Sequence, residues 1–214
     1  MLNDPNQLIA TLVADLRPVR AMKARDGLLL ATGSATITVV LTVLLLGLRA
    51  DVANAQFGAL FLFANGLFLI VGLVSAMAAV GMALPRVGQS SQGWKWAAAM
   101  GGLLPTVAVI MLVSGTEPMP AALVSSHELK CVAMGLGLGL LTAVALVWWL
   151  RRGAPTSSAR AGLLVGISSG SIGMLAFALH CPFDSFYHVG FGHALPVVIG
   201  AVIGRLVVPK LVRW

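Results

Sequence analysis

The stretch GLLLATGSATITVVLTVLLLGL, residues 27–48, holds no charge, and it is closed by Arg25 and Asp26 on one side and Arg49 and Asp51 on the other. A helix of about 20 apolar residues covers the roughly 30 Å hydrocarbon core of a bilayer, so this run predicts a membrane-crossing helix. Working outward, the same reading finds five more runs, at 57–83, 95–115, 131–150, 161–180 and 189–209. The 214 residues are 58% hydrophobic and 10% charged, too apolar for an ordinary soluble domain. The expected architecture is an all-α polytopic membrane protein: a six-helix transmembrane domain over 27–214, preceded by a short extramembrane segment, 1–26. That segment does not read as a cleaved signal peptide, because the apolar run after it is too long and its own residues are patterned.

Charge sets the expected orientation. Fourteen Lys and Arg against seven Asp and Glu give +7, which in a soluble protein would suggest nucleic acid. Here the basic residues sit between the apolar runs and alternate. Arg17, Arg20, Lys23, Arg25, Arg86, Lys95, Arg151, Arg152, Arg160, Arg205, Lys210 and Arg213 fall on one side, and only Arg49 and Lys130 on the other. Short Lys/Arg-rich loops stay in the cytoplasm, so both termini are expected inside, in a bacterial inner membrane, with no direct nucleic-acid partner.

On the inner face, Asp4-Pro5-Asn6-Gln7 reads as a helix start, with Asp4 as N-cap, Pro5 at the first helical position and Gln7 completing a capping box. Leu8, Ile9, Leu12, Val13 and Leu16 then form a stripe at spacings of three to four, and Pro18 stops the helix. So short an amphipathic helix is marginal alone in water and needs a surface to bury its stripe. Two surfaces suit it: anionic lipid headgroups, attracted by the basic residues that follow, or a groove on a cytoplasmic partner. Asp15 beside the stripe favours the partner.

The outer face collects the remaining chemistry. Cys131 opens the fourth span and Cys181 closes the fifth, and His127, His180, His188 and His193 fall on or near the same side. Gly135 and Gly139, Gly162, Gly166 and Gly170, and Gly200 and Gly204 form small-xxx-small faces, which let helices four, five and six approach closely beneath these residues. The cysteines can be one disulfide, closing a loop of about 50 residues for roughly 4 kcal/mol, or inert thiols. They can also be a sensor, since thiolate with imidazole suits soft or borderline metals and a thiol pair suits oxidants. Ligand spacing argues against a dedicated metal site. There is no CxxC or HxxxH, and His188 and His193, five apart, do not share an α-helical face, so each reads as an interfacial polar residue.

No ionisable residue lies mid-span, which counts against ion-coupled transport. Paired carboxylates, a P-loop and HExxH are all missing, so an enzyme is not expected. A small permease or metal exporter with an outer Cys/His loading site is the alternative class.

Asp15-Leu16-Arg17-Pro18-Val19-Arg20, Cys131 at the head of the fourth span, His180-Cys181-Pro182 with Asp184, and the closing Arg213-Trp214 together resemble the NrsF type of anti-sigma factor, "negative regulator of sigma F". The similarity covers essentially the whole chain. The resemblance implies an inner-membrane protein that holds an extracytoplasmic-function (ECF) sigma factor on its cytoplasmic side and releases it on heavy-metal or oxidative stress. By position, the signal-sensing pair would be Cys131 and Cys181, with a metal ion held there only transiently and no resident cofactor. His127, His180 and His188 would be auxiliary, and the sigma-holding surface would lie around Leu8, Leu12, Asp15, Leu16, Pro18, Val19 and Arg20.

Overall fold

The computed structural model describes residues 5–14, 16, 21–84, 93–114 and 126–212, and no strand occurs among them. In chain order the helices are α1 (Pro5–Ala14), α2 (Ala24–Leu46), α3 (Ala50–Ala53), α4 (Ala59–Met82), α5 (Gly93–Gly101), α6 (Leu103–Ser114), α7 (Ser126–Arg152), α8 (Ser158–Ala178), a π-helical turn at His188–His193, and α9 (Leu195–Leu211). Five of these segments are long and apolar enough to cross a membrane: Ala24–Leu46, Ala59–Met82, Glu128–Arg152, Ser158–Ala178 and His188–Leu211. Their outer surface is apolar. Leu44, Leu45, Leu62, Leu140 and Leu206 are all exposed, a coat suited to lipid rather than water.

The run expected as a third continuous span, 95–115, is instead two helices, α5 and α6, broken at Gly102. Two adjacent glycines, Gly101 and Gly102, weaken the helix, and Pro105 supplies no N–H to the carbonyl of Gly101. The ladder is carried around the break by Gly102 N–H to Ala98 O at 3.0 Å and Thr106 N–H to Gly102 O at 3.1 Å. α6 then packs against the π-helical turn, and α5 against α4 and α8.

α8 is the centre of the bundle: 89% of its apolar window is buried, against 22% for α2 at the periphery. A helix can take that position only if its neighbours come close, and its glycines permit this. A Cβ on Gly166 would overlap the carbonyl of Gly200, one on Gly162 the carbonyl of Gly204, and one on Gly173 the carbonyl of Gly135. The faces expected to join the last three helices are therefore the contacts of α8 with α7 and α9. α4 adds a polar tie, with the Ser168 hydroxyl donating to Gly72 O at 2.9 Å. At the end away from the cysteines, Trp149 Nε1 donates to Val80 O at 3.2 Å, and the Arg152 guanidinium lies 3.5 Å from the Trp148 ring centroid.

α1 lies within the stretch expected as an N-terminal helix but is described only over Pro5–Ala14, short of the expected stop at Pro18, with Leu16 outside it; all ten residues of α1 are exposed. Leu8, Leu12 and Leu16 are between 49% and 73% exposed, so the stripe has no partner within the described part of the chain. The expected cap Asp4 and the segment residues Asp15, Pro18, Val19 and Arg20 lie outside the described residues.

Candidate metal centre

Cys131 stands in the second turn of α7, and Cys181 follows α8, anchored by its N–H to Phe177 O at 3.0 Å. Both are free thiols and both are buried to 1% exposure. The segment after Cys181 turns back into the bundle and begins its descent as a π-helix rather than an α-helix. Pro196 gives the reason. It cannot donate to the turn before it, and its ring would crowd the carbonyl of Gly192 in regular α geometry; a wider turn at His188–His193 relieves that clash.

The wider turn decides the chemistry of the site. In an α-helix, residues five apart point about 140° from one another, whereas i→i+5 geometry stacks them on one face. His188 Nε2 and His193 Nε2 lie 3.1 Å apart, which corrects the expectation that these two residues are separate interfacial polar groups. His188 Nε2 is 3.2 Å from Cys181 Sγ and 3.8 Å from Cys131 Sγ. The four ligand atoms all lie within 4.8 Å of one another, and all four residues are buried.

A tetrahedral ion with sulfur at about 2.3 Å and nitrogen at about 2.0–2.1 Å requires nitrogen–nitrogen separations of about 3.3 Å and separations of about 3.5–3.8 Å for pairs that include sulfur. The cluster is close to those values. Two thiols and two imidazoles form a donor set suited to Zn²⁺ and its softer congener Cd²⁺.

Behind the ligands, His188 Nδ1–H donates to Glu128 Oε1 at 2.8 Å. A carboxylate accepts only, so this bond fixes the neutral tautomer with the Nε2 lone pair aimed at the other three ligands. Gly192 makes room for it, since a Cβ there would strike Glu128 Oε2. Phe183 lies against His188, with ring centroids 5.5 Å apart, and Phe177 meets His193 edge-on at 6.2 Å, so apolar surface walls the site. The Cys181 thiol is drawn well below its usual range chiefly by the hydrogen bond from Cys131, against burial that pushes it up. Cys181 is thus the readier thiolate of the pair.

Among the other expected site residues, His180 is half-buried and is not one of the four clustered ligands, with its Nδ1 3.3 Å from Gly47 O. The backbone of His127 is in the first turn of α7, and its side chain lies outside the described residues. Two participants were missed by the sequence reading. His193 was set aside because its spacing from His188 was judged by α-helical geometry, and the one signal against that judgement is Pro196 three residues later. Glu128 is three residues before Cys131 on the same helix, a spacing that puts both on one face.

No solved structure matches the chain. Among curated proteins it is 27% identical to "Anti-sigma-F factor NrsF" of Caulobacter vibrioides over 213 residues, covering 98% of this chain and 99% of that protein. It is 26% identical to "Probable anti-sigma-F factor NrsF" of Azospira oryzae over 215 residues, covering 97% and 98%. The family described as NrsF, negative regulator of sigma F, matches residues 12–214, and on that match the chain belongs to the NrsF family.

Proposed function

We propose that this protein is a membrane anti-sigma factor that holds an ECF sigma factor through residues 1–26 and releases it when a thiophilic divalent ion fills the Cys131–Cys181–His188–His193 site. The family match and the relatives named anti-sigma-F factor support the anti-sigma role and a sigma-factor partner. The observation that carries the metal part is the convergence of four buried ligand atoms within 4.8 Å, with a carboxylate orienting one of them. In this reading the chain crosses the inner membrane six times, with α5 and α6 together making the third crossing, and the site faces the periplasm. The exposed Leu8 and Leu12 of α1, with Leu16 just beyond it, supply the contact with a partner groove on the opposite side. Neither the family nor the donor set points to catalysis.

The donor set separates a metal signal from an oxidant. A dithiol oxidised to a disulfide needs Cys131 and Cys181 alone, whereas a four-ligand ion needs His193 as well. In cells carrying a sigma-dependent reporter, His193→Ala should abolish induction by cadmium and leave sequestration intact in its absence. If His193→Ala responds to cadmium as the parent does while Cys131→Ser does not, the four-ligand reading falls and the thiol pair alone carries the response.

A further inference from the structure

Arg49 is the only described residue that ties the outer end of α2 to the Cys181 loop through its side-chain charge, and it is nearly enclosed, with 7% of its side chain exposed. Its Nη1 donates to Cys181 O at 2.8 Å and to Asp184 Oδ1 at 2.8 Å, and its Nη2 donates to Asp184 Oδ2 at 2.6 Å. Its Nε donates to Asp51 Oδ1 at 2.6 Å, its backbone N–H donates to Leu179 O at 3.0 Å, and its guanidinium lies 5.0 Å from the Phe61 ring centroid. Fork-shaped, charge-assisted pairing of this kind fixes direction as well as distance. One guanidinium thus holds the peptide of a site cysteine, a carboxylate three residues on, and Asp51 in α3, the short helix that Arg49 caps.

Arg49 lies three residues beyond the end of α2, which closes at Leu46 with Gly47 as its C-cap, and α2 is the helix that follows the N-terminal segment directly. The face that α2 buries consists of Gly27, Ala31, Ser34, Thr38 and Thr42, with nothing larger than threonine. Its hydroxyls bond mainly within the helix itself, Ser34 to Ala31 O, Thr38 to Ser34 O and Thr42 to Thr38 O at 2.8, 3.0 and 2.8 Å, with one contact across to α7, from Ser34 Oγ to Thr142 Oγ1 at 3.5 Å. Gly27 is held closely, since a Cβ there would strike Trp149 and Val80, but beyond that point this face of small residues offers few interlocking side chains to resist a small tilt or rotation, unlike the glycine-to-backbone contacts that lock α8. Cys181, by contrast, keeps its own anchor on α8 through Phe177 O without Arg49. Removing the Arg49 side chain therefore leaves the ligand cluster held by α7, α8 and the π-helical turn, and takes away its charged link toward α2, while the backbone bond from Arg49 N–H to Leu179 O and the contact of His180 with Gly47 O remain.

We infer that Arg49 is the positioning residue through which the state of the Cys/His site reaches α2, and with it the N-terminal segment. Filling the site moves the Cys181 peptide, the guanidinium follows the carbonyl and the Asp184 carboxylate it holds, and α2 moves as a unit. The inference rests on the reading of residues 1–26 as the sigma-holding element. A coupling of this kind exists only if the two states differ in free energy at both ends, which makes it measurable from either end.

The test uses full-length protein in lipid nanodiscs with cadmium as the probe, comparing the parent with Arg49→Gln, Arg49→Lys and the milder Asp184→Asn. Cadmium affinity, read from thiolate charge-transfer absorption, should stay at the parent value in Arg49→Gln. The cadmium-induced amplitude of the sigma-dependent reporter should fall about tenfold or more, within the range of about 5- to 150-fold usual for coupling between sites. Lysine, which keeps the charge without the fork, should recover part of it, and Asp184→Asn should lie between. A second readout needs no sigma factor: cadmium should change the rate of trypsin cleavage after Lys23 and Arg25 in the parent and leave it unchanged in Arg49→Gln. Full reporter amplitude in Arg49→Gln, a parent-like cadmium effect on trypsin cleavage in that variant, or loss of cadmium affinity equal to the loss of response would each overturn the inference. If the parent shows cadmium-dependent cleavage that Arg49→Gln lacks, yet binds no sigma factor, the sigma-holding reading fails and the coupling through Arg49 stands.

Discussion

Replacing Glu128 tests whether the four-ligand cluster is a built metal centre or a chance gathering of polar groups. The carboxylate's hydrogen bond to the site is the 2.8 Å bond from His188 Nδ1, so it acts on metal binding through the orientation, tautomer and basicity of that ring and through its own negative charge. Loss of an outer partner of a metal-bound histidine costs about 10- to 100-fold in affinity, or about 1.4–2.8 kcal/mol. Glu128→Gln retains a carbonyl acceptor without the charge and is expected near tenfold. Glu128→Ala leaves Nδ1–H without this acceptor and is expected near a hundredfold. Gly192→Ala places a methyl group where the carboxylate sits, and should reproduce the Glu128→Gln loss without altering any ligand. The assay is competition of cadmium between the purified protein and a chelator of known affinity, with the charge-transfer band as signal. If Glu128→Ala and Gly192→Ala both bind cadmium as tightly as the parent while His188→Ala does not, the carboxylate plays no part in the site and the orienting role assigned to it is wrong.

Other parts of the structure carry their own expectations. Gly166→Leu drives a side chain into the Gly200 backbone and should destabilise the protein by at least the roughly 1–3 kcal/mol typical of overpacking, seen as a lower midpoint of thermal unfolding in detergent. Gly137→Ala, with nothing near its Cβ, should be neutral or stabilising by up to about 1 kcal/mol. Leu12→Asp puts a charge on an exposed stripe without touching the bundle, so sigma-factor capture from solution should be lost while cadmium affinity is unchanged; capture at the parent level would remove the helix-in-groove contact. At 1% exposure, Cys131 and Cys181 should react with an impermeant maleimide in intact cells far more slowly than after denaturation, and bound cadmium should slow the reaction further. Rapid labelling of the resting protein would mean that the site opens readily.

The sequence was most informative where a property repeats over many residues. Long uncharged runs such as 27–48 can bury their backbone polar groups in lipid only as helix, and the described helices follow those runs closely. Glycine at spacing four along 162–170 likewise foretold the close contact with α9, because a missing Cβ is a steric fact wherever the helix goes. The third run shows the limit of that logic. Hydropathy alone made 95–115 continuous, and the local backbone chemistry of Gly101, Gly102 and Pro105 divides it.

The site was only half legible for the same kind of reason. Cys131 and Cys181 could be placed at one depth from the pattern of spans, as could the histidines, but which histidines turn inward depends on a single register. Five residues separate His188 from His193; α geometry puts them on different faces and π geometry on one. The choice between them is made by Pro196 and by the fit of the turn against α6 and α7. Glu128 and Arg49 carry no motif of their own. They join the site only because α7 and the outer end of α2 are brought to the Cys181 loop in three dimensions. The sequence by itself determined that this chain forms apolar helices with glycine faces and polar chemistry at their ends, because hydropathy and side-chain size act residue by residue. Only the tertiary structure decided that two thiols, two imidazoles, one carboxylate and one guanidinium form a connected group, because convergence depends on helix register and approach, which no single segment specifies.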